Sequence, residues 1–161
     1  METTMQIPKT PWQARVVLVC GKTMEGRFYV ASHSLKHEGV ESLPELMNDD
    51  ARNYLPFRTD RGETLFLNRS AIRTVQFDCP ELLDLFANPD NECICPVTVV
   101  FRTESSEQCL EGSINTQDLP PEYRRPVDLL NAPAMFLLVF SGGQLTLVNH
   151  SAISHVCLHG S

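Results

Sequence analysis

The chain repeats itself. Gly62-Glu-Thr-Leu-Phe-Leu-Asn-Arg-Ser-Ala-Ile-Arg-Thr-Val75 aligns without a gap with Gly143-Gln-Leu-Thr-Leu-Val-Asn-His-Ser-Ala-Ile-Ser-His-Val156, 81 residues further on. The shared core is Asn-x-Ser-Ala-Ile-x-x-Val. Upstream, Leu46-Met47-Asn48 matches Leu129-Leu130-Asn131, Tyr54-Leu55-Pro56-Phe57 resembles Phe136-Leu137-Leu138-Val139, and Met24-Glu25-Gly26 matches Leu110-Glu111-Gly112. The matches run in the same order in both halves, which points to a duplicated unit of about 65 residues. Two such copies side by side are commonly a pseudo-twofold pair or neighbours in a ring.

Each copy reads as β-rich. Val16-Val-Leu-Val-Cys20 is β-branched and apolar and stops at Gly21, which predicts a strand and a turn. Gly26 to Ala31 reads as the return strand, with Gly26 allowing a sharp bend or a bulge. Ser42-Leu-Pro-Glu-Leu-Met-Asn48 has a capping serine, an early proline and a closing asparagine, the pattern of one or two helical turns. Three further strands follow at Tyr54 to Phe57, Thr64 to Leu67 and Ala71 to Phe77. Asn68-Arg69-Ser70 is a tight turn between the last two, because Asn tolerates positive φ and Ser can bond its own backbone. The second copy repeats the plan: strands at Val97–Arg102, Leu110–Asn115, Met135–Phe140, Leu145–Val148 and Ala152–Leu158, and a helical turn at Val127–Asn131. The fold class expected is mainly β: two tandem, small, strongly bent five-stranded antiparallel barrels with short helical insertions. The boundaries are a tail at 1–12, a first module at 13–78, a linker at 79–96 and a second module at 97–161. In the linker, Asp78 is placed to cap a short amphipathic helix from Pro80 to Ala87.

The order of elements and the residues Val17-x-Val19-x-Gly21, Gly26 and Leu67-Asn-Arg-Ser-Ala-Ile72 with Val75 resemble the Sm-like fold. In the second copy the same resemblance rests on Gly112, Val148-Asn-His-Ser-Ala-Ile153 and Val156. The chain is also similar to bacterial two-module proteins of this kind. The resemblance implies rings built through edge strands, and in many members RNA bound at the pore. Two departures weigh against the RNA part. Ala31-Ser-His-Ser34 stands where the family carries an Asp and an Asn. The family's Arg-Gly turn is Asn68-Arg69-Ser70 in one copy and Asn149-His150-Ser151 in the other, so only Arg69 keeps a cation there.

Charge separates the two copies. The net charge of the 161 residues is −7. Residues 1–80 carry ten Lys and Arg against ten Asp and Glu, whereas residues 81–161 carry three Arg, no Lys and ten acids. An acidic half is a poor phosphate surface, because binding there gathers like charge. Any anion or RNA site therefore falls in the first half, where Arg58, Arg61, Arg69 and Arg73 cluster; the plainer reading of the four is a solvated face. A third reading packs the first module, through this basic cluster, against the acidic second module of a neighbour in a head-to-tail ring.

Nothing in the sequence carries a catalytic pattern, and the expectation is not an enzyme and no cofactor. His33 with His37 and His155 with His159 are four apart, a metal spacing on a helix but not on a strand or chain end. The six cysteines include no C-x-x-C pair and read as small apolar residues. Asn68-x-Ser70 and Asn149-x-Ser151 match a glycosylation acceptor, but their repetition at matching positions favours a backbone role. No apolar run reaches the ~20 residues of a membrane span, and Met1 to Thr10 lack a signal-peptide pattern. The expectation is a cytoplasmic protein with reduced thiols. It acts as a binding or assembly module: a homo-oligomer joined through edge strands, with another protein partner as a further option. RNA binding through the four arginines is the alternative.

Overall fold

The computed structural model describes residues 9–31, 41–88, 90–103 and 108–159. Strands β1 (Lys9–Leu18), β2 (Thr23–Ala31), β3 (Tyr54–Thr59), β4 (Thr64–Asn68) and β5 (Ile72–Phe77) form the first half, with helix α1 (Leu43–Met47) between β2 and β3. Helix α2 (Pro80–Leu83) and a 3-10 turn at Asp84–Phe86 lead into the second half. That half holds β6 (Ile94–Phe101), β7 (Cys109–Asn115), α3 (Pro126–Leu130), β8 (Phe136–Ser141), β9 (Gln144–Asn149) and β10 (Ile153–Leu158). All ten strands join one antiparallel sheet, in the order β10-β6-β7-β8-β9-β5-β1-β2-β3-β4.

That order is the same pattern twice. In each half the fifth strand returns to pair with the first, and the fourth strand ends at the far side. The halves meet where β9 pairs with β5, from Thr74 opposite Val148 to Phe77 opposite Leu145. The sheet therefore runs through both halves, where the sequence suggested two separate barrels. Its outer strands are β4 and β10.

Two glycines mark where neighbouring strands pass closest. A Cβ on Gly26 would lie 2.2 Å from the Arg58 carbonyl, and one on Gly112 would lie 2.3 Å from the Phe140 carbonyl. Both distances are far inside contact, so β3 and β8 cross directly over positions that only glycine can hold. The two glycines are the ones that match in the sequence repeat.

Helix α1 carries the expected cap. Glu45 N donates to Ser42 Oγ at 3.3 Å, and Ser42 N donates to Glu45 Oε1 at 3.2 Å. Asn48 ends the helix and accepts the Phe136 amide at 2.8 Å, tying α1 to β8 of the other half. The linker departs from expectation. Its α-helix stops at Leu83, and Cys79, not Asp78, stands at its start. The Asp78 carbonyl instead accepts the Trp12 indole N–H at 3.1 Å. Strand β1 also starts at Lys9, ahead of residue 13. Pro11 is tolerated there because at that level β1 pairs only with β2; its pairing with β5 begins at Ala14.

Burial explains the apolar runs. The first core holds Val16, Phe28, Phe57, Leu43, Met47 and Val75, and it also takes Phe136, Leu145 and Leu147 from the second half. The second core holds Val97, Val99, Ile114, Leu137, Val139 and Val148. Strands β8 and β9 thus bury both faces, which is why Phe136-Leu-Leu-Val-Phe140 is apolar without alternation.

Candidate functional site

The four arginines do not form one patch. Arg58 and Arg61 lie at the surface. Arg58 stands opposite Arg27 in the β2–β3 ladder, and Arg61 lies near Glu63, Asp60 and Lys22 in a depression of mixed charge. Arg69 is buried at 7% exposure. Its Nη1 donates to the Met47 carbonyl at 3.1 Å and the Asp49 carbonyl at 2.7 Å, closing the end of α1. Arg73 lies 4.8 Å over the Phe101 ring, at the meeting of the halves. Two of the four are therefore structural, a fact hidden from sequence because their partners are distant along the chain.

The asparagine turns are alike in detail. Asn68 has φ −69° and ψ 118°, and Asn149 has φ −69° and ψ 121°, so neither takes the positive φ expected of the turn, and the asparagine side chain holds it instead. Each Oδ1 accepts the N–H and the hydroxyl of the serine two residues on, at 3.1 and 2.8 Å for Asn68 and at 3.0 and 2.8 Å for Asn149. This backbone role accounts for the acceptor pattern in both copies.

Their surroundings differ. Asn149 is fully buried, and its Nδ2 donates to the Ile72 carbonyl at 2.8 Å and reaches the Ser70 carbonyl at 3.4 Å. That amide locks β9 onto the start of β5. Asn68 is exposed on the outer strand β4. The same contrast holds along the strands. Leu147 is 0% exposed and Phe136 is 3% exposed, while their counterparts Phe66 and Tyr54 are 69% and 60% exposed. Phe77 is 4% exposed and its counterpart Leu158 is 55% exposed. Pro56 lies opposite Phe66 in the β3–β4 ladder, so Tyr54, Pro56 and Phe66 make one apolar face. The outer edges β4 and β10 thus carry the surfaces that β9 and β5 bury against each other.

The remaining sequence candidates stay apart. His33 and His37 lie outside the described residues. His159 meets the Thr98 hydroxyl, and His155 meets Ser154. Among the described residues no three His, Cys, Asp or Glu side chains converge as a metal site would. All six cysteines are free thiols. No helix among the described residues is long and apolar enough to cross a membrane. Compared with protein-family models, curated proteins and solved structures, the chain gives no match.

Proposed function

We propose that this chain is a non-catalytic assembly module, a tandem of two Sm-like units that associates head to tail by pairing β4 of one copy with β10 of the next. The observation that carries the reading is the internal β5–β9 junction, which supplies a template for that contact. Carrying its register over by the 81-residue offset places Phe66 opposite Val156 and Leu67 opposite His155 of the next copy. It also sets the Asn68 amide against the carbonyls of Ser151 and Ile153. Covering an aromatic as exposed as Phe66 contributes about 2 kcal/mol, and each side of the contact brings further apolar area. Unpaired edge strands are otherwise a liability, and β4 carries no inward charge or proline to blunt it.

The contact is heterologous, so it closes into a ring or runs on as a filament. A ring contains an even number of units, because each chain brings two. It sets Arg58, which stands opposite Thr64 of β4, beside the acidic second half of the next copy, which favours association at low salt. Binding of RNA is the second reading; it retains only Arg58 and Arg61 of its four residues, beside Arg27.

Light scattering on size-exclusion peaks tests the assembly. The wild type is expected to run at a multiple of the chain mass that falls with dilution and with salt. Asn68→Asp keeps the turn but removes the amide donor, and Phe66→Lys charges the edge; each is expected to give single chains with an unchanged circular dichroism spectrum. A wild type that stays a single chain at high micromolar concentration and low salt refutes the proposal. A high ratio of absorbance at 260 to 280 nm in the purified protein would favour the RNA reading.

A further inference from the structure

A groove of about 760 Å³ lies between the helical segments of the two halves, a volume within the range of small-molecule sites. Its floor and walls are mostly apolar and include Leu82, Phe86, Leu129 and Phe136. Glu81 and Asp118 stand along its sides, and no Lys or Arg lines it among the described residues. His150 opens into it. Burial pushes the His150 imidazole below its ordinary value, so the ring is neutral at pH 7.

The origin of the opening is visible in the repeat. His150 occupies the position that Arg69 holds in the first half: each begins a 3-10 turn after its asparagine. Each backbone N–H meets a matching carbonyl, Asn53 for Arg69 and Met135 for His150. The helices beside them also match, since α1 ends at Asn48 (φ −97°, ψ 7°) and α3 ends at Asn131 (φ −93°, ψ 1°). In the first half the Arg69 guanidinium fills the space at the end of α1 and satisfies the carbonyls of Met47 and Asp49. The corresponding carbonyls in the second half are those of Leu130 and Ala132. Among the described residues no side chain donates to them, because histidine is too short and bears no charge there. Ala132, Ala134 and His150 instead form a wall of the groove.

We infer that this groove binds a small organic cation with an apolar body. Its guanidinium or ammonium group sits at the end of α3, where Arg69 closes α1, and its ring or chain lies on Leu129, Phe86 and Phe136. The carbonyls accept the N–H groups, and the surrounding carboxylates favour the positive charge. The inference rests on the groove and the Arg69–His150 comparison, and it stands whether or not the chain self-associates.

Phenethylguanidine is the probe, and phenethylurea is its uncharged counterpart of the same shape. Calorimetric titration is expected to show saturable binding of the guanidine, with the urea at least ten-fold weaker. His150→Arg supplies the missing guanidinium from the chain and is expected to weaken binding of the probe at least ten-fold while raising the melting temperature. Ala134→Leu, which narrows the groove without adding charge, gives the same loss of binding where the arginine variant fails to fold. Equal affinity for guanidine and urea would overturn the inference. So would the absence of saturable binding up to the solubility limit, or full affinity in a folded His150→Arg or Ala134→Leu protein.

Discussion

The two asparagine turns offer a matched pair of perturbations. Asn→Asp keeps the Oδ acceptor that binds the following serine, and Asp caps such a turn as well as Asn does. It removes only the amide donor. At Asn149 that donor holds the Ile72 carbonyl at 2.8 Å in a site with no solvent exposure. The substitution forfeits about 1 kcal/mol of hydrogen bond and leaves a buried carbonyl facing a carboxylate oxygen, which costs roughly 2 kcal/mol more. A loss of about 3 kcal/mol corresponds to roughly 6–12 °C in Tm for a chain of this size. At Asn68 the same change takes place on an exposed edge, and the expected effect is within about 0.5 kcal/mol. Urea melts followed by far-UV circular dichroism make the comparison, with both variants placed in the Phe66→Lys background so that each is measured as a single chain. Equal losses at the two sites would refute the reasoning, because the local turn is the same and only the junction differs.

Three further outcomes are expected. Gly26→Ala and Gly112→Ala each force a methyl group against a backbone carbonyl at 2.2–2.3 Å; each is expected to cost about 3 kcal/mol, the upper range for overpacking, in the same urea melts. Arg69→Met is expected to cost about 2 kcal/mol through the unpaired Met47 and Asp49 carbonyls, whereas Arg58→Met at the surface stays within about 0.5 kcal/mol. His150 has a folded pKa depressed by burial below 6.5. The unfolded chain therefore takes up a proton that the folded chain refuses, and the resulting stability is complete above pH 6.5 and declines as the pH falls below it. His150→Gln is expected to flatten that decline, read as Tm across the interval from pH 7 to about pH 5.

Much of the fold was legible along the chain. The Asn-x-Ser turns and the Ser42 cap depend on neighbours in sequence, and these leave a local mark; Gly26 and Gly112 stood out as residues, but what requires them is the close pass of β3 and β8, far along the chain. The joining of both halves into one sheet left no such mark. Neither did the early start of β1, since Lys9-Thr-Pro-Trp12 has little strand character and is drawn into the sheet by β2. Arg69 and Arg58 look alike in sequence, yet one closes a helix and the other meets solvent. The groove was equally hidden, because its walls come from the linker and from helices of both halves.

Mainly β character and the repeated asparagine turns were determined by sequence alone, since periodicity and capping act over a few residues. Which copy of each surface is covered was decided by tertiary structure. Leu147 and Phe66 hold matching positions, but among the described residues only Leu147 has a strand on both sides. Burial depends on the partner that arrives from elsewhere in the chain, and a repeat that specifies the same surface twice does not say which one meets it.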